Sequence, residues 1–352
     1  MPTTSLTVDN ELLSATSIEA AKEARDLRHV VTPFLAEHER VHGAGQPSKG
    51  SGHKWVGSFQ TGNHSSPTKR QTGYEQMNLS FSGVLTPMVL TPAEVSYPIG
   101  ISAVEEDLNG GDLQTIELAS RRAKAVMSKA KRDFEKHMLQ GGVSQYEDWH
   151  SLNGDEEGDG FLEAAAPGTQ VNVIGGFSKS TFSALTGSQN QFFDVGSSFN
   201  TSGLTGIYRT LIKAKARALD DLNGLTVISS EKALENYKRT IQANERYMVM
   251  DNNDQIDGAN MNLLISGIPA HVSTNLDYTA TTGKKQFSMV LVDLNAIYVC
   301  WSKVIRDGYF SMSDFENVGN GYNVRVAEIL VRGQLWVESF ASSAVIADAE
   351  SF

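Results

Sequence analysis

The chain has 352 residues, of which 40% are hydrophobic and 20% charged, and its formal net charge is -11 at pH 7. This length allows one large or two moderate globular domains, and the acidic balance argues against a nucleic-acid-binding module, whose affinity depends on neutralising phosphates. No apolar run reaches transmembrane length, the polar start lacks the apolar core of a secretory signal, and the lone Cys300 excludes an intrachain disulfide. Cys300 lies in an apolar stretch and is predicted to be a buried small hydrophobe in a reducing compartment.

The first 53 residues are predicted to form an arm. Residues 1 to about 16 are expected to be extended or disordered. A helical pattern runs from Ser17 to about His42, and Pro33 divides it into two pieces. Gly43 to His53 is rich in Gly, Ser and Pro and is predicted to be a flexible link.

A polar hairpin is predicted between Trp55 and Phe81. Trp55, Val56 and Phe59 mark its first strand, and Met77 to Phe81 alternates apolar and polar residues as a half-buried second strand would. Thr61 to Gly73 forms the loop between them. Because an isolated two-stranded hairpin is marginal in water, and no local core is evident, the hairpin is predicted to pack on another molecule.

A long helix follows a proline-rich segment. Val84 to Ala103 contains three prolines, which favours an edge strand or an extended arm. The helix is predicted over Leu113–Leu139, with Asp112 as N-cap and Gly141 and Gly142 as its stop. One face is an apolar stripe, and the other faces carry basic residues: Arg121, Arg122, Lys129, Lys131, Arg132 and Lys136.

The second half of the chain is predicted to be a mixed domain. Val143–Gly168 is a loop-rich insertion. The periodicity of the sequence after it predicts helices, strands and one long strand or strand pair with a bulge at Gly333. The helices span about Leu204–Leu219 and Ser230–Gln242. The strands span Leu225–Ile228, Leu263–Ile265, Ile268–Val272, Met289–Trp301 and Val324–Phe340. The fold class is therefore α+β.

One motif has the spacing of a zinc peptidase. His38, Glu39 and His42 match H-E-x-x-H, which on a helix puts two metal ligands and a general base on one face. A catalytic zinc needs a third protein ligand, and the metzincin extension would require His at position 48, where the chain has Ser48. The alternative is a solvated helix end whose histidines happen to lie four residues apart.

Other chemical motifs are incomplete. The acidic run Asp155–Gly160 resembles a calcium loop, but Ala166 replaces the bidentate glutamate at the twelfth position. Asp251 to Gly258 is similarly incomplete. There is no phosphate loop, no G-x-S-x-G elbow and no recognisable context for a Cys300 nucleophile. No catalytic residue, metal or cofactor is therefore predicted, and the chain is not expected to be an enzyme.

The order of the parts carries a resemblance. An arm, a projecting hairpin, a proline-rich strand, one long helix, a second helix and a mixed domain follow one another. Gly267–Ser273 reads GIPAHVS and is similar to a family strand turn, and Val292–Tyr298 is similar to another family segment. Over residues 50 to 345 the chain resembles the major capsid protein of tailed bacteriophages, the Hong Kong ninety-seven type capsid fold. The match lies in the ordered set, since no single motif is diagnostic.

The resemblance implies a division into domains. It assigns 1–53 to an N-terminal arm, 54–83 to an extended hairpin loop that reaches a neighbouring subunit, and 84–222 to a peripheral domain with the spine helix 113–139. It assigns 223–300 to an axial domain, 301–332 to a peripheral loop and strands, and 333–352 to the closing strand and tail.

The resemblance also implies partners and contacts. The chain would form hexamers and pentamers of an icosahedral virion shell around double-stranded DNA, assembled in the bacterial cytoplasm. Because about fifty residues precede the hairpin, a separate scaffolding protein is expected, together with a portal and a decoration protein. Lys69 and Arg70 at the hairpin tip are expected to meet Glu105, Glu106 or Asp107 of a neighbour. Further expected assembly contacts are Lys54, Trp55, Arg121, Arg122, Asp251 and Arg306.

Two alternatives remain open from the sequence. The nearer one is an encapsulin, a bacterial compartment shell of the same fold. The other belongs to a different class and is the zinc metallopeptidase that would use His38, Glu39 and His42.

Overall fold

The computed structural model describes residues 32–43, 52–63, 83–108, 112–153, 160–196, 199–218, 222–244, 263–279, 285–302, 309–319 and 322–350. The α-helices within these ranges are α1 Pro33–His42, α2 Ala103–Leu108, α3 Asp112–Gln140, α4 Thr201–Lys215 and α5 Glu231–Asn244. Short 3-10 turns lie at Ser144–Tyr146, Thr186–Ser188, Leu222–Gly224 and Thr274–Leu276.

The described strands form two larger sheets and two strand pairs. The small pairs are β1 Trp55–Gln60 with β2 Leu85–Leu90, and β4 Val173–Ile174 with β5 Phe177–Ser178. The six-stranded sheet contains β6 Gln191–Asp194, β7 Leu225–Ser229, β8 Leu263–Ile265, β9 Ile268–Val272, β10 Phe287–Asp293 and β15 Ala344–Ala347. The five-stranded sheet contains β3 Ala93–Ser102, β11 Ile297–Trp301, β12 Ser311–Met312, β13 Glu316–Gly319 and β14 Tyr322–Val337.

Strand β14 organises the five-stranded sheet, because the other four strands all pair with it antiparallel. The β3 side confirms the predicted proline-containing edge strand: Pro98 lies opposite Glu328 in an unbroken register. The bulge predicted at Gly333 is wrong, since Gly333 pairs regularly with Ala93 on one side and Trp301 on the other. Glycine is needed there for close packing, because a Cβ atom would approach the Cys300 carbonyl oxygen to a distance shorter than any normal contact.

The six-stranded sheet separates two apolar clusters. Alternate residues of its central strands face opposite ways, as strand geometry requires. Ile228, Val290 and Val345 belong to the main core shared with the five-stranded sheet and α3. Val227, Leu291 and Ile346 belong to a second cluster with α4 and α5.

The long helix is confirmed with nearly the predicted bounds. It spans 29 residues, about 43 Å at 1.5 Å per residue, and Gly141 and Gly142 follow it with positive φ angles of 76° and 69°. Its carboxyl-terminal third is buried on more than one face, because Phe134, Met138 and Leu139 are fully buried and so are two polar residues, Glu135 and His137. The predicted pattern of one apolar face therefore holds only in the middle of the helix.

Helix α1 connects the two halves of the molecule. Pro33 stands at its first turn, where a missing N–H costs nothing. The Glu135 carboxyl group of α3 accepts the N–H groups of Phe34 and Leu35 at 2.8 and 2.9 Å, so it caps the start of α1. At the other end, Arg40 donates to the Asn223 carbonyl at 2.9 Å, beside the six-stranded sheet. The first predicted helical piece, from Ser17, lies outside the described residues.

Two elements differ from the sequence prediction, and a third agrees with it. The strand predicted over Met289–Trp301 is two strands, because Asp293 accepts from the Asn295 N–H at 3.1 Å and turns the chain from one sheet to the other. Helix α4 begins earlier, where the Asn200 side chain accepts the N–H groups of Ser202 and Gly203. Helix α5 agrees, and Ser230 Oγ caps it by accepting from the Ala233 N–H at 3.2 Å.

The predicted domain boundaries do not follow the sheets. β6 and α4, expected in the domain over 84–222, belong with the six-stranded sheet, since β6 pairs with β15. β11, expected in the domain over 223–300, pairs with β14 of the other sheet. β15, expected in a closing tail, completes the six-stranded sheet beside β10. Long-range strand pairing decides these memberships, and local periodicity carries no information about it.

Glu135 makes the stability of the fold depend on pH. Burial raises the pKa of its carboxyl from the ordinary 4.5 to about 8. The folded chain therefore holds this proton more tightly than the unfolded chain. The stabilisation of the folded state by this proton is fully present below about pH 4.5. It is lost as pH rises towards 8, at up to about 1.4 kcal/mol of unfolding free energy per pH unit.

We expect Glu135→Gln to remove this dependence. The free energy of unfolding of the wild-type chain, minus that of the variant, should fall as pH rises from about 5 to about 8. Denaturant titrations followed by tryptophan fluorescence measure both. A difference that stays constant over this range would show that Glu135 does not titrate in the folded chain.

Candidate assembly surfaces

The base of the predicted hairpin is a two-stranded sheet whose first strand is confirmed. β1 pairs antiparallel with β2 from Trp55 opposite Leu90 to Gln60 opposite Leu85. The partner within the described residues is therefore β2, whereas the predicted second strand, Met77–Phe81, lies outside them. The pairing continues into the loop, since Thr61 N donates to the Val84 carbonyl at 2.8 Å.

The inner face of this pair packs on the chain's own core, which corrects the expectation that no local core supports it. Trp55 is 4% exposed, and Met88 and Leu90 are fully buried. Gly57 lies against the Trp336 ring of β14 so closely that a Cβ atom would come within 2.7 Å of it. Trp55, expected as an assembly contact, is therefore a core residue.

The outer face of the same pair is open. Its alternate residues are exposed, and two of them are large and apolar: Val56 is 65% exposed and Leu85 is 68% exposed. Exposed Lys54 directly precedes the strand. Since one face of the pair is anchored in the core, the other face is held at a fixed position and is exposed to solvent.

Glu105 forms its ion pair within the chain. Both of its carboxylate oxygens accept from the Arg122 guanidinium at 2.9 Å, and Arg122 also donates to the Gly100 carbonyl. Ser102 and Glu105 form a capping box at the start of α2: Ser102 N donates to Glu105 Oε2 and Glu105 N donates to Ser102 Oγ. The bidentate Arg122 is the main cause of a lowered pKa for Glu105.

The expected contact to Glu105 therefore needs revision. Glu105 is buried, and both it and Arg122 are engaged inside one subunit, so neither is an open contact for a neighbour. The S-x-x-E spacing from Ser102 was available in the sequence and predicts this local pairing. Asp107 is exposed and Arg121 is half-buried; Lys69, Arg70, Asp251 and Arg306 lie outside the described residues, as does the side chain of Glu106.

The H-E-x-x-H residues lie on α1, but the Nε2 nitrogens of both histidines are hydrogen-bonded within the fold. His38 is fully buried and its Nε2 accepts the Val299 N–H at 3.1 Å. His42 Nε2 lies 2.7 Å from the Leu294 carbonyl, to which it donates, and its ring stands 4.9 Å from that of His38. Burial, and then the neighbouring His42, lower the pKa of His38 to about 3, so it is neutral at physiological pH.

This geometry removes the basis for a zinc site. The Nε2 lone pair of His38 already accepts a backbone hydrogen bond, and Glu39 lies within 3.4 Å of Lys131 on α3. Among the described residues there is no group of three or more side chains able to hold a metal. The solvated-end alternative is also wrong, since α1 packs tightly against the core. Both calcium-like acidic runs lie almost wholly outside the described residues.

No helix in the described part of the chain is long and apolar enough to cross a membrane. Cys300 is fully buried in β11, as predicted for a small hydrophobe.

The comparison with solved structures identifies the fold. The chain is similar to the capsid of cyanophage A-1(L), with a TM-score of 0.63 at 12% identity over 95% of this chain and 97% of that one. It is also similar to the capsid of the native GTA particle, with a TM-score of 0.58 at 12% identity over 94% of both chains. The holo-SrpI encapsulin complex of Synechococcus elongatus matches with a TM-score of 0.52 at 11% identity over 97% and 96%.

No protein-family model and no curated protein matches the sequence. The structural likeness nevertheless covers nearly the whole chain. The protein has the phage capsid fold of the Hong Kong ninety-seven type, as the order of its elements predicted.

His38 is expected to act as a structural acceptor. His38→Leu should leave the buried Val299 N–H without a partner and lower the free energy of unfolding by about 1–3 kcal/mol. His42→Ala is the matched control; its site is only half-buried, so its effect should be smaller. Metal analysis by mass spectrometry would contradict this account if it found stoichiometric zinc that His38→Leu abolishes.

Proposed function

We propose that this protein is the major capsid protein of a tailed bacteriophage, which assembles into hexamers and pentamers of an icosahedral shell around double-stranded DNA. The observation that carries the proposal is the capsid fold, which extends over about 95% of the chain in its likeness to a cyanophage capsid. An acidic chain suits the inside of such a shell, because a net charge of -11 gives DNA no general reason to adhere.

The outer face of the β1–β2 pair is proposed as a contact with a neighbouring copy. Val56 and Leu85 are both about two-thirds exposed, although each would contribute about 1.5–3 kcal/mol if fully buried. The pair's inner face is held by Trp336 and the core, so the outer face is preorganised for docking. A contact of this size is weak in one pair of subunits and strong when repeated around a closed shell.

The two sheets are proposed to form the two domains of the capsid subunit. The six-stranded sheet with α4 and α5 would be the axial domain around five-fold and six-fold axes. The five-stranded sheet with α3 would be the peripheral domain near the three-fold contacts. Slightly different bends of the arm, hairpin and α3 would let one chain occupy both hexamers and pentamers.

Ion pairs between the hairpin tip and a neighbouring copy are also proposed, with fewer acidic partners than the sequence suggested. Lys69 and Arg70 are proposed to meet Asp107 or Glu106 of a neighbour, with Glu105 removed from the set because Arg122 pairs with it. Each exposed ion pair would contribute little, about 0–1 kcal/mol, so the effect would come from repetition across the shell. Proposed partners besides the chain itself are a scaffolding protein, a portal and a decoration protein; no catalytic role is proposed.

An encapsulin-type compartment is the second candidate, supported by the match to the SrpI encapsulin at a TM-score of 0.52. The two candidates differ in contents, since an encapsulin would hold a protein cargo and a phage head would hold DNA. The match to the cyanophage capsid has a higher TM-score, 0.63, and favours the phage capsid as the function.

Negative-stain electron microscopy of the chain, expressed alone and with its genomic neighbours, tests the proposal. Closed shells or capsomer rings of uniform size are expected. A single small oligomer under both conditions would refute shell assembly. Nuclease-protected DNA or a co-purifying enzyme in the shells would then separate the two candidates.

Charging the outer hairpin face should block assembly without unfolding the subunit. In Val56→Asp/Leu85→Asp, we expect shells to fall at least about tenfold in yield, because burying two unpaired carboxylates is strongly unfavourable. Circular dichroism should be unchanged. The matched control is Val171→Asp, an equally exposed valine outside this sheet, which should retain shells. Normal shell yield in the double variant would remove this face from the assembly contacts.

A further inference from the structure

A groove lies beside the middle of α3, and neither the hairpin face nor the hairpin tip accounts for it. Its volume is about 460 Å³, within the range of about 300–1,000 Å³ that is usual for binding clefts. Residues of α3 on one side, Met312 of β12 and the residue before α1 line it: Thr32, Ala123, Lys124, Met127, Ser128, Lys131, Arg132 and Met312.

The floor of the groove is apolar. Ala123 and Met127 are half-buried and pack against the main core, and Met312 is 45% exposed. Methionine side chains adapt to the shape of an apolar partner and are common at binding surfaces. The floor therefore suits an apolar side chain from another molecule.

The rim of the groove is cationic, although the chain as a whole is acidic. Seven of the residues 121–136 are Lys or Arg, in a chain whose net charge is -11. Lys124 is exposed, and Lys131 pairs with Glu39 at 3.4 Å. An apolar floor with a cationic rim fits an acidic amphipathic helix, which places apolar residues inside and carboxylates at the edge. DNA would fit the rim but would gain nothing from the floor.

Helix α2 of the same chain presents a surface of this kind. Its sequence is AVEEDL, and Val104 is 66% exposed although it is a large apolar residue. Asp107 lies three positions further, on the same side of the helix, and is also exposed. The ion pair of Glu105 with Arg122 holds α2 against α3 from another side. Val104 and Asp107 are therefore held outward at a fixed position.

We propose that α2 of one subunit docks into the α3 groove of a neighbouring subunit, with Val104 on the methionine floor and Asp107 paired with Lys124. Within one subunit α2 does not fill the groove, since Val104 stays exposed. The two surfaces differ, so the contact is heterologous and repeats from one copy to the next around a ring. Asp107 is thereby assigned to the groove, which leaves Glu106 for the hairpin tip. The inference rests on the proposed function, because it adds one contact to shell assembly.

Charge reversal in the full-length chain tests the ion pair. Lys124→Glu and Asp107→Lys should each lower the yield of shells at least about fivefold, because like charges then face each other in every repeat of the contact. Combining the two changes restores an opposite-charge pair and should return the yield to within about twofold of the wild type. Lys129→Glu is the matched control, since Lys129 is exposed on α3 and does not line the groove. Rescue also excludes a contact of Asp107 with the hairpin tip, which Lys124→Glu could not restore.

Disulfide trapping locates the same contact without relying on charge. Cys300, the one cysteine of the chain, is fully buried, so added cysteines report alone. In Val104→Cys/Met312→Cys, oxidised shells should give a ladder of linked subunits on non-reducing gels, since each copy carries both halves of the contact. Val104→Cys/Ile212→Cys moves the second thiol to an exposed position on α4 and should give no ladder.

Two results would overturn the inference and leave the capsid function in place: normal shell yield in Lys124→Glu, or shells of Val104→Cys/Met312→Cys without a ladder. Loss of packaged DNA from otherwise normal Lys124→Glu shells would assign the groove to nucleic acid instead. If the wild-type chain forms no shells, the proposed function fails, and trapping in concentrated solution decides the contact alone. If circular dichroism shows that a charge variant does not fold, the cysteine pair still decides.

Discussion

The constraint on which most of this structure depends is strand β14. Four strands take their register from it, and β3, which is far away in the sequence, pairs with it over ten residues, from Ser102 opposite Val324 to Ala93 opposite Gly333. Gly333 allows the chain around Cys300 to approach closely, and Trp336 supports Gly57 at the hairpin base. A side chain at position 333 would therefore disturb the sheet and the core beneath it together. The hairpin base is positioned by the same strand.

Buried polar groups connect the remaining parts. Glu135 joins α3 to α1, and His38 joins α1 to β11. Such groups cost free energy unless each is hydrogen-bonded, and removing one partner exposes the full cost of the other. These hydrogen bonds fix the position of α1 between the two sheets more strictly than apolar contacts alone would do. Because Glu135 titrates, the stability of this arrangement depends on pH.

Local sequence signals predicted the elements well where a physical cue lies within a few residues. Asp112 and the Gly141–Gly142 pair bounded the spine helix, and Ser230 marked the start of α5. Local signals of this kind cannot predict which strands pair when they are far apart in the sequence. The pairing of β1 with β2, the regular register at Gly333 and the division of Met289–Trp301 between two sheets all depend on tertiary contacts.

The candidate surfaces follow the same pattern. The hairpin was recognised, but which of its faces is open depends on Trp336, almost 280 residues away along the chain. The burial of Glu135 and Lys179 could not be predicted from the sequence, because charged residues in polar stretches are normally expected to be exposed to solvent. Glu105 is the exception, since its capping-box spacing was visible and predicts its role inside the chain.

The central claim is that each subunit anchors its hairpin base in its own core and offers the opposite face to another copy. A cryo-electron microscopy map of the assembled particle tests it most directly. We predict β1 and β2 seated on Trp336 as described here, with Val56 and Leu85 buried against a neighbouring subunit. A shell in which that face is open to solvent, or in which β1 has left Trp336, would contradict the account.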